Sequence, residues 1–195
     1  MRDYHPLATH RLNGTVSILQ PPAPPIVTLE SPATEVMTDL RNIPAAVIKP
    51  HLSMETANSY MMQRGVRLLF VQNPDGSLAG LITSTDILGG KPLRFIQDRN
   101  LKHSDILVSD VMTPLERLDA ISIDEVAHAN VGHVIASLRD SGRQHTLVTT
   151  RNAQGQTNVC GIFSRSQIEK QIGEPIEYNG AAKSFAEIEA TLVAD

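Results

Sequence analysis

The sequence predicts an α+β fold, α/β-like in its strand–helix order. Two copies of a β-α-β-β-α unit pack as a pseudo-symmetric pair, with an N-terminal arm before them and a C-terminal helix after. Three observations predict it. Glu35-Val36-Met37-Thr38-Asp39-Leu40 returns as Asp110-Val111-Met112-Thr113-Pro114-Leu115, 75 positions on. Gly80-Leu81-Ile82-Thr83-Ser84-Thr85-Asp86-Ile87 returns as Gly161-Ile162-Phe163-Ser164-Arg165-Ser166-Gln167-Ile168, 81 positions on. Between these landmarks each copy holds an apolar helical stripe followed by two β-prone runs.

In the first copy Ser53 is placed to cap a helix, its hydroxyl accepting from an orphan N–H. Met54, Ala57 and Met61 then share one face, and Gly65 ends the helix in the left-handed region. Leu68–Val71 and Leu78–Ile82 read as strands about the turn Asn73-Pro74-Asp75-Gly76. In the second copy Asp124 is the expected cap, Ala127, Val131, Val134, Ile135 and Leu138 form the stripe of one longer helix, and Gly142 closes it. His145–Thr149 and Asn158–Phe163 are the strands, joined by the polar loop Arg151–Thr157. Both hairpins run into a short helix at a Ser/Thr cluster, ending at Gly89-Gly90 and at Gly173. A unit of about 60 residues buries too little surface to stand alone, so the copies are expected to pack together.

Composition narrows the function. Seventeen basic against 21 acidic residues give a net charge of -4, which argues against a nucleic-acid binder that neutralises phosphates. With no Trp and 4% aromatic residues there is no stacking platform for single strands. One cysteine, Cys160, excludes a disulfide framework and a Cys-based zinc site, and it reads as a small buried hydrophobe. The uncharged run Leu12–Leu29 is interrupted by Gly14 and by Pro21, Pro22, Pro24 and Pro25, so no membrane span is expected. A cytoplasmic location follows as the expectation.

The expected organisation is a proline-rich arm over 1–33, repeat 1 over 34–91, a linker over 92–109, repeat 2 over 110–175 and a helical tail over 176–195. The arm is expected to be extended and to drape over the module. In the tail, Ser184 is a candidate cap and Phe185, Ile188 and Leu192 share a face that either docks on its own core or meets a second copy.

The duplicated unit, with Val36-Met37-Thr38 and Val111-Met112-Thr113 as openings and the closing Gly-apolar-apolar-Thr-x-x-Asp of Gly80–Asp86, resembles a tandem pair of CBS domains, or Bateman module. The resemblance spans roughly residues 34–174. It implies two clefts between the repeats, an adenine nucleotide (AMP, ADP or ATP) or S-adenosylmethionine as regulatory ligand, no required cofactor, no catalysis, and a homodimer read by a protein target. By the same resemblance Asp86 accepts from the ribose hydroxyls, Thr83 meets phosphate, Thr85 is the intervening hydroxyl, Leu81 touches the base, and Thr113 reaches across from the other repeat; Arg143 is added as a phosphate candidate from its place beside the second-strand start. The second site takes Ser164, Ser166, Gln167, Ile162, Thr38 and Arg67 in these places.

The chemistry of these residue types agrees. A carboxylate takes both hydroxyls of a ribose, and hydroxyls with free N–H groups suit a phosphate. Gln167 stands where the first copy has Asp86, and an uncharged amide is the weaker acceptor, so the Asp86 site is expected to be the better one. Members also carry a proline before the valine of the second strand, where this chain has Phe70 and Leu147. Two roles are open to Asp86, ligand contact or helix capping alone, and the same pair is open to Thr83 and Thr85. Met37 and Met112 read as core or cleft lining. The alternative to a nucleotide sensor is an interaction scaffold on the same fold that binds no nucleotide. His128 and His133, five apart on the expected helix, diverge by about 140° and do not form a metal pair. No catalytic constellation is legible. Arg64, Arg67, Lys91, Arg94, Arg139, Arg143 and Arg165 are expected to be mostly solvated, with Arg67 and Arg143, which flank the second-strand starts, the phosphate candidates among them.

Overall fold

The computed structural model describes residues 5–20, 26–99 and 102–176. The proline cluster and the tail with Phe185, Ile188 and Leu192 lie outside them.

Two four-stranded sheets carry the molecule. The first unit is β2 (Val47–Ile48), α1 (Met54–Arg64), β3 (Leu68–Gln72), β4 (Leu78–Thr83) and α2 (Ser84–Leu88). Its opening motif is β1 (Thr38–Asp39), preceded by a 3-10 turn, Ala33–Val36. Next come α3 (Lys91–Arg99), α4 (Val108–Val111) and the second opening strand, β5 (Thr113–Pro114). The second unit is β6 (Ala120–Ser122), α5 (Ile123–Ala127), α6 (Val131–Ser141), β7 (His145–Arg151), β8 (Thr157–Ser164) and α7 (Arg165–Ile172).

The strand orders are β1-β8-β7-β6 and β2-β3-β4-β5. Each opening strand is therefore exchanged: β1 pairs with β8, Thr38 opposite Ile162, and β5 pairs with β4, Thr113 opposite Leu81. The glycines of the closing motifs are the seats for these crossings. A Cβ on Gly80 would stand 2.3 Å from the Thr113 carbonyl oxygen, and one on Gly161 2.6 Å from Met37 Sδ. Only glycine admits the neighbour at that distance.

Local chemistry accounts for most of the helix ends. Ser53 Oγ accepts from Thr56 N, and Gly65 closes α1 at φ 64°. Met54, Ala57 and Met61 are all buried. The hairpin turn places Gly76 at φ 89°. In the second copy the single expected helix is two. Ser122, not Asp124, caps α5, and Asn130 caps a fresh start at α6 by accepting from His133 N. An amide side chain that competes for backbone donors stops one helix and begins the next. Val126 is buried there in place of Ala127, which is exposed. The second hairpin is also longer than expected, because the polar Thr150 and Arg151 pair with Asn158 and Thr157.

Three apolar clusters form. One lies under α1 and also takes in Ile106 and Val108, both fully buried, so the stretch between the copies packs as part of repeat 1. The second lies under α6 and includes Val27, Val36 and Phe163. The third, Phe70, Leu81, Leu147 and Ile162, joins the two sheets face to face. Phe70 and Leu147, in the strand positions where a proline was noted as missing, are thus what welds the repeats. Of the arm, residues 5–20 are exposed, Leu19 at 99%, whereas Val27 to Ala33 lies on the second repeat through Gly132 N to Leu29 O and Val131 N to Ser31 O, both 2.9 Å. No helix among the described residues is long and apolar enough to cross a membrane.

Candidate functional site

The exchange of opening strands builds two clefts on either side of the welded sheets. The smaller, about 270 Å³, is lined by Leu81, Thr83, Thr85, Asp86, Thr113 and Arg143, the whole of the first expected set. The larger, about 590 Å³, is lined by Thr38, Arg67, Ile162, Ser164, Ser166 and Gln167, the whole of the second, together with Lys170.

Polar groups are deployed differently in the two. At the smaller cleft Asp86 is buried and closes a capping box on α2. Its Oδ2 accepts from Thr83 N at 2.8 Å and Thr83 Oγ1 at 2.7 Å, while Thr83 Oγ1 accepts from Asp86 N at 3.2 Å. Its Oδ1 accepts from Lys91 Nζ at 2.5 Å, and Lys91 also donates to the Val111 carbonyl at 3.3 Å. Lys91 is therefore paired, not merely solvated. Arg143 pairs with Asp119 at 2.7 Å.

At the larger cleft Gln167 Oε1 accepts from Thr38 Oγ1 at 3.2 Å, a bond between the opening motif of one copy and the closing motif of the other. Ser164 starts α7 but makes no side-chain capping bond, and its hydroxyl lies 3.2 Å from that of Ser166. Both serine hydroxyls consequently stay on the cleft wall. Arg67, whose Nε is 3.4 Å from Ser84 Oγ, and Lys170 are cations of this lining, which among the described residues contains no carboxylate.

His145 lies on the seam. It is the first residue of β7, it lines both clefts, and Leu68 at the head of β3 occupies the equivalent place. Burial pushes its imidazole down to about 4, with the nearby Asp86 opposing and Arg67 adding to the shift. At neutral pH it is an uncharged divider. Reading the sequence missed His145, Lys91 and Lys170 as site residues. His145 held a detectable signal, since it heads the second strand as Leu68 heads the first.

Elsewhere, His128 and His133 do not share a helix: one ends α5, the other lies in the first turn of α6, and both face a cavity of about 330 Å³. No group of three or more His, Cys, Asp or Glu able to hold a metal occurs among the described residues. Arg165 is not solvated either. It pairs with Glu169 at 3.0 Å and donates to the Ile176 carbonyl. Cys160 is buried, and burial raises its thiol pKa.

Residues 33–90 match the CBS domain family model. Repeat 2 repeats that unit strand for strand and completes its sheet. Residues 33–90 are a CBS domain, and the chain has the fold of a CBS pair. Solved structures agree on the whole pair. An uncharacterised conserved protein from Pyrococcus horikoshii is 24% identical, with 77% of this chain and 98% of that one covered at a TM-score of 0.54. The Arabidopsis thaliana CBS-pair protein CBSX2, solved in complex with AMP, is 21% identical, covering 72% and 94% at a TM-score of 0.50. A CBS-domain protein from Agrobacterium tumefaciens is 16% identical, covering 68% and 88% at 0.50. At these identities the likeness carries the fold. No curated protein matches the sequence significantly.

Proposed function

We propose that this CBS pair is a non-catalytic regulatory module that senses an adenine nucleotide, and that the larger cleft is its main site. The observation that carries this reading is the larger cleft's lining. It offers about 590 Å³, within the ordinary range for ligand pockets, with Arg67 and Lys170 as cations, serine hydroxyls uncommitted to capping, and no acid. That set suits a phosphate-bearing ligand and disfavours the sulfonium cation of S-adenosylmethionine. The AMP held by CBSX2, a structural neighbour, supports the ligand class. The ranking expected from the exchange of Asp86 for Gln167 is thereby reversed, because the carboxylate is already engaged within the chain.

Binding would shift the packing of the two repeats about the Phe70–Leu147 weld, and a homodimer contact or protein target would read that shift. Titration calorimetry of AMP, ATP and S-adenosylmethionine into the full chain and into Arg67→Ala/Lys170→Ala tests it. Saturable nucleotide binding that weakens roughly tenfold or more in the variant is expected. The scaffold reading draws on a different observation, that Gln167 and Asp86 both bond their own chain. Silence from all three ligands with the protein folded would establish it instead.

A further inference from the structure

The carboxylate of the smaller cleft is held by one side chain from outside the β-α-β-β-α pattern. Lys91 opens α3, outside the duplicated unit, and reaches back to Asp86. A carboxylate has about four acceptor sites. Three are taken, two by Thr83 and one by Lys91, so the vicinal diol of a ribose finds one site where it needs two. The Thr83 bonds belong to the helix cap and stay as long as α2 does. The Lys91 bond is the one that can leave: its side chain is half exposed, against 11% for Asp86, and its carbon stem has slack.

We infer that Lys91, reaching the Asp86 carboxylate from outside the lining of the smaller cleft, holds it in place of a ribose diol, and so decides that the pair presents one open site instead of two. This rests on the reading of the clefts as nucleoside sites. Lys91 also spans the repeats, from Asp86 in the closing motif of the first to the Val111 carbonyl beside the opening motif of the second. A nucleotide strong enough to displace it would release both contacts and the start of α3 with them.

Counting AMP sites by calorimetry tests the inference, with the full chain, with Lys91→Met, and with both placed in an Arg67→Ala/Lys170→Ala background. Methionine keeps the apolar stem and removes the cation, and a thermal melt of each variant verifies folding. The full chain is expected to bind one AMP. Lys91→Met is expected to bind two, the affinity of the smaller cleft rising at least tenfold. In the double-alanine background, AMP binding is expected to be weakened roughly tenfold or more, and replacement of Lys91 is expected to restore one tighter site. A Lys91→Met variant that still counts one site overturns the inference, as does an unaltered chain that already counts two, an outcome that leaves the sensor reading standing. Binding by Lys91→Met but not by the unaltered chain upholds the lock and removes the larger cleft as the main site. No binding by any folded variant removes both.

Discussion

Met37 lies on Gly161: a Cβ at that glycine would stand 2.6 Å from the methionine sulfur. The pair joins the opening motif of the first copy to the closing motif of the second. Its counterpart is harder, because the atom over Gly80 is the backbone oxygen of Thr113, at 2.3 Å from a Cβ. A flexible thioether can move aside and a paired strand cannot. Gly80→Ala should therefore destabilise by the upper part of the roughly 1–3 kcal/mol typical of overpacking, and Gly161→Ala by the lower part. Urea unfolding of the two variants makes the comparison, and equal losses would count against the seating described.

Asp86 supports the fold without any ligand. Asp86→Ala removes the carboxylate half of the α2 capping box and leaves Lys91 only the Val111 carbonyl, so a loss of about 1–2 kcal/mol is expected in nucleotide-free protein. Gln167→Ala, on a helix whose Ser164 makes no capping bond, should change stability by about 0.5 kcal/mol or less. Denaturant midpoints of the pair separate the two roles. A neutral Asp86→Ala would return the carboxylate to ligand duty alone.

Stability should fall on mild acidification. The folded-state pKa of His145 is depressed to about 4 while the unfolded chain titrates near 6.5, so below that pH the unfolded state binds a proton that the folded state refuses. The contribution is complete above about 6.5 and is lost between there and about 4, on the order of 2–3 kcal/mol in all. His145→Leu, matching Leu68 across the pseudo-axis, should flatten that part of the pH profile. Asp86 and Arg67, the charges His145 feels, remain in the variant, so the difference between the two curves isolates the imidazole.

Much of the fold was legible because repeats announce themselves twice. The capping serine at 53, the left-handed glycines at 65 and 142, and the hairpin turn at 73–76 are local chemistry, and local chemistry is visible in sequence. Ten of the twelve expected cleft residues came together because each is fixed by its place in a motif, and Arg67 and Arg143 because each precedes a second strand. What stayed hidden was long-range. Nothing local tells that β1 leaves its own unit to pair with β8. Lys91 reaches Asp86 only through the path of α3, and the break of the second helix at Asn130 turns on one competing amide. The apolar pattern runs unbroken across that break, which is why one helix was expected.

The exchange of strands gives a prediction of its own. Separately expressed residues 26–99 and 102–176 should each lack a cooperative thermal transition, since each would be missing one strand of its sheet and half of the Phe70–Leu147 weld. Mixed, they should recover one. A sharp transition from either half alone would show that the exchange is incidental to stability.

The same pairing has a consequence in time. Thr38 leaves the ribosome 124 residues ahead of its strand partner Ile162. At synthesis rates of about 5–20 residues per second, the opening strand waits on the order of ten seconds for the edge it completes. Contacts of such sequence separation also slow folding itself. During that interval the Val36-Met37-Thr38 segment is an unsatisfied strand beside a nascent chain. Vulnerability to aggregation or to pairing with a neighbouring copy is then greatest before β8 is made, and it ends when that strand arrives.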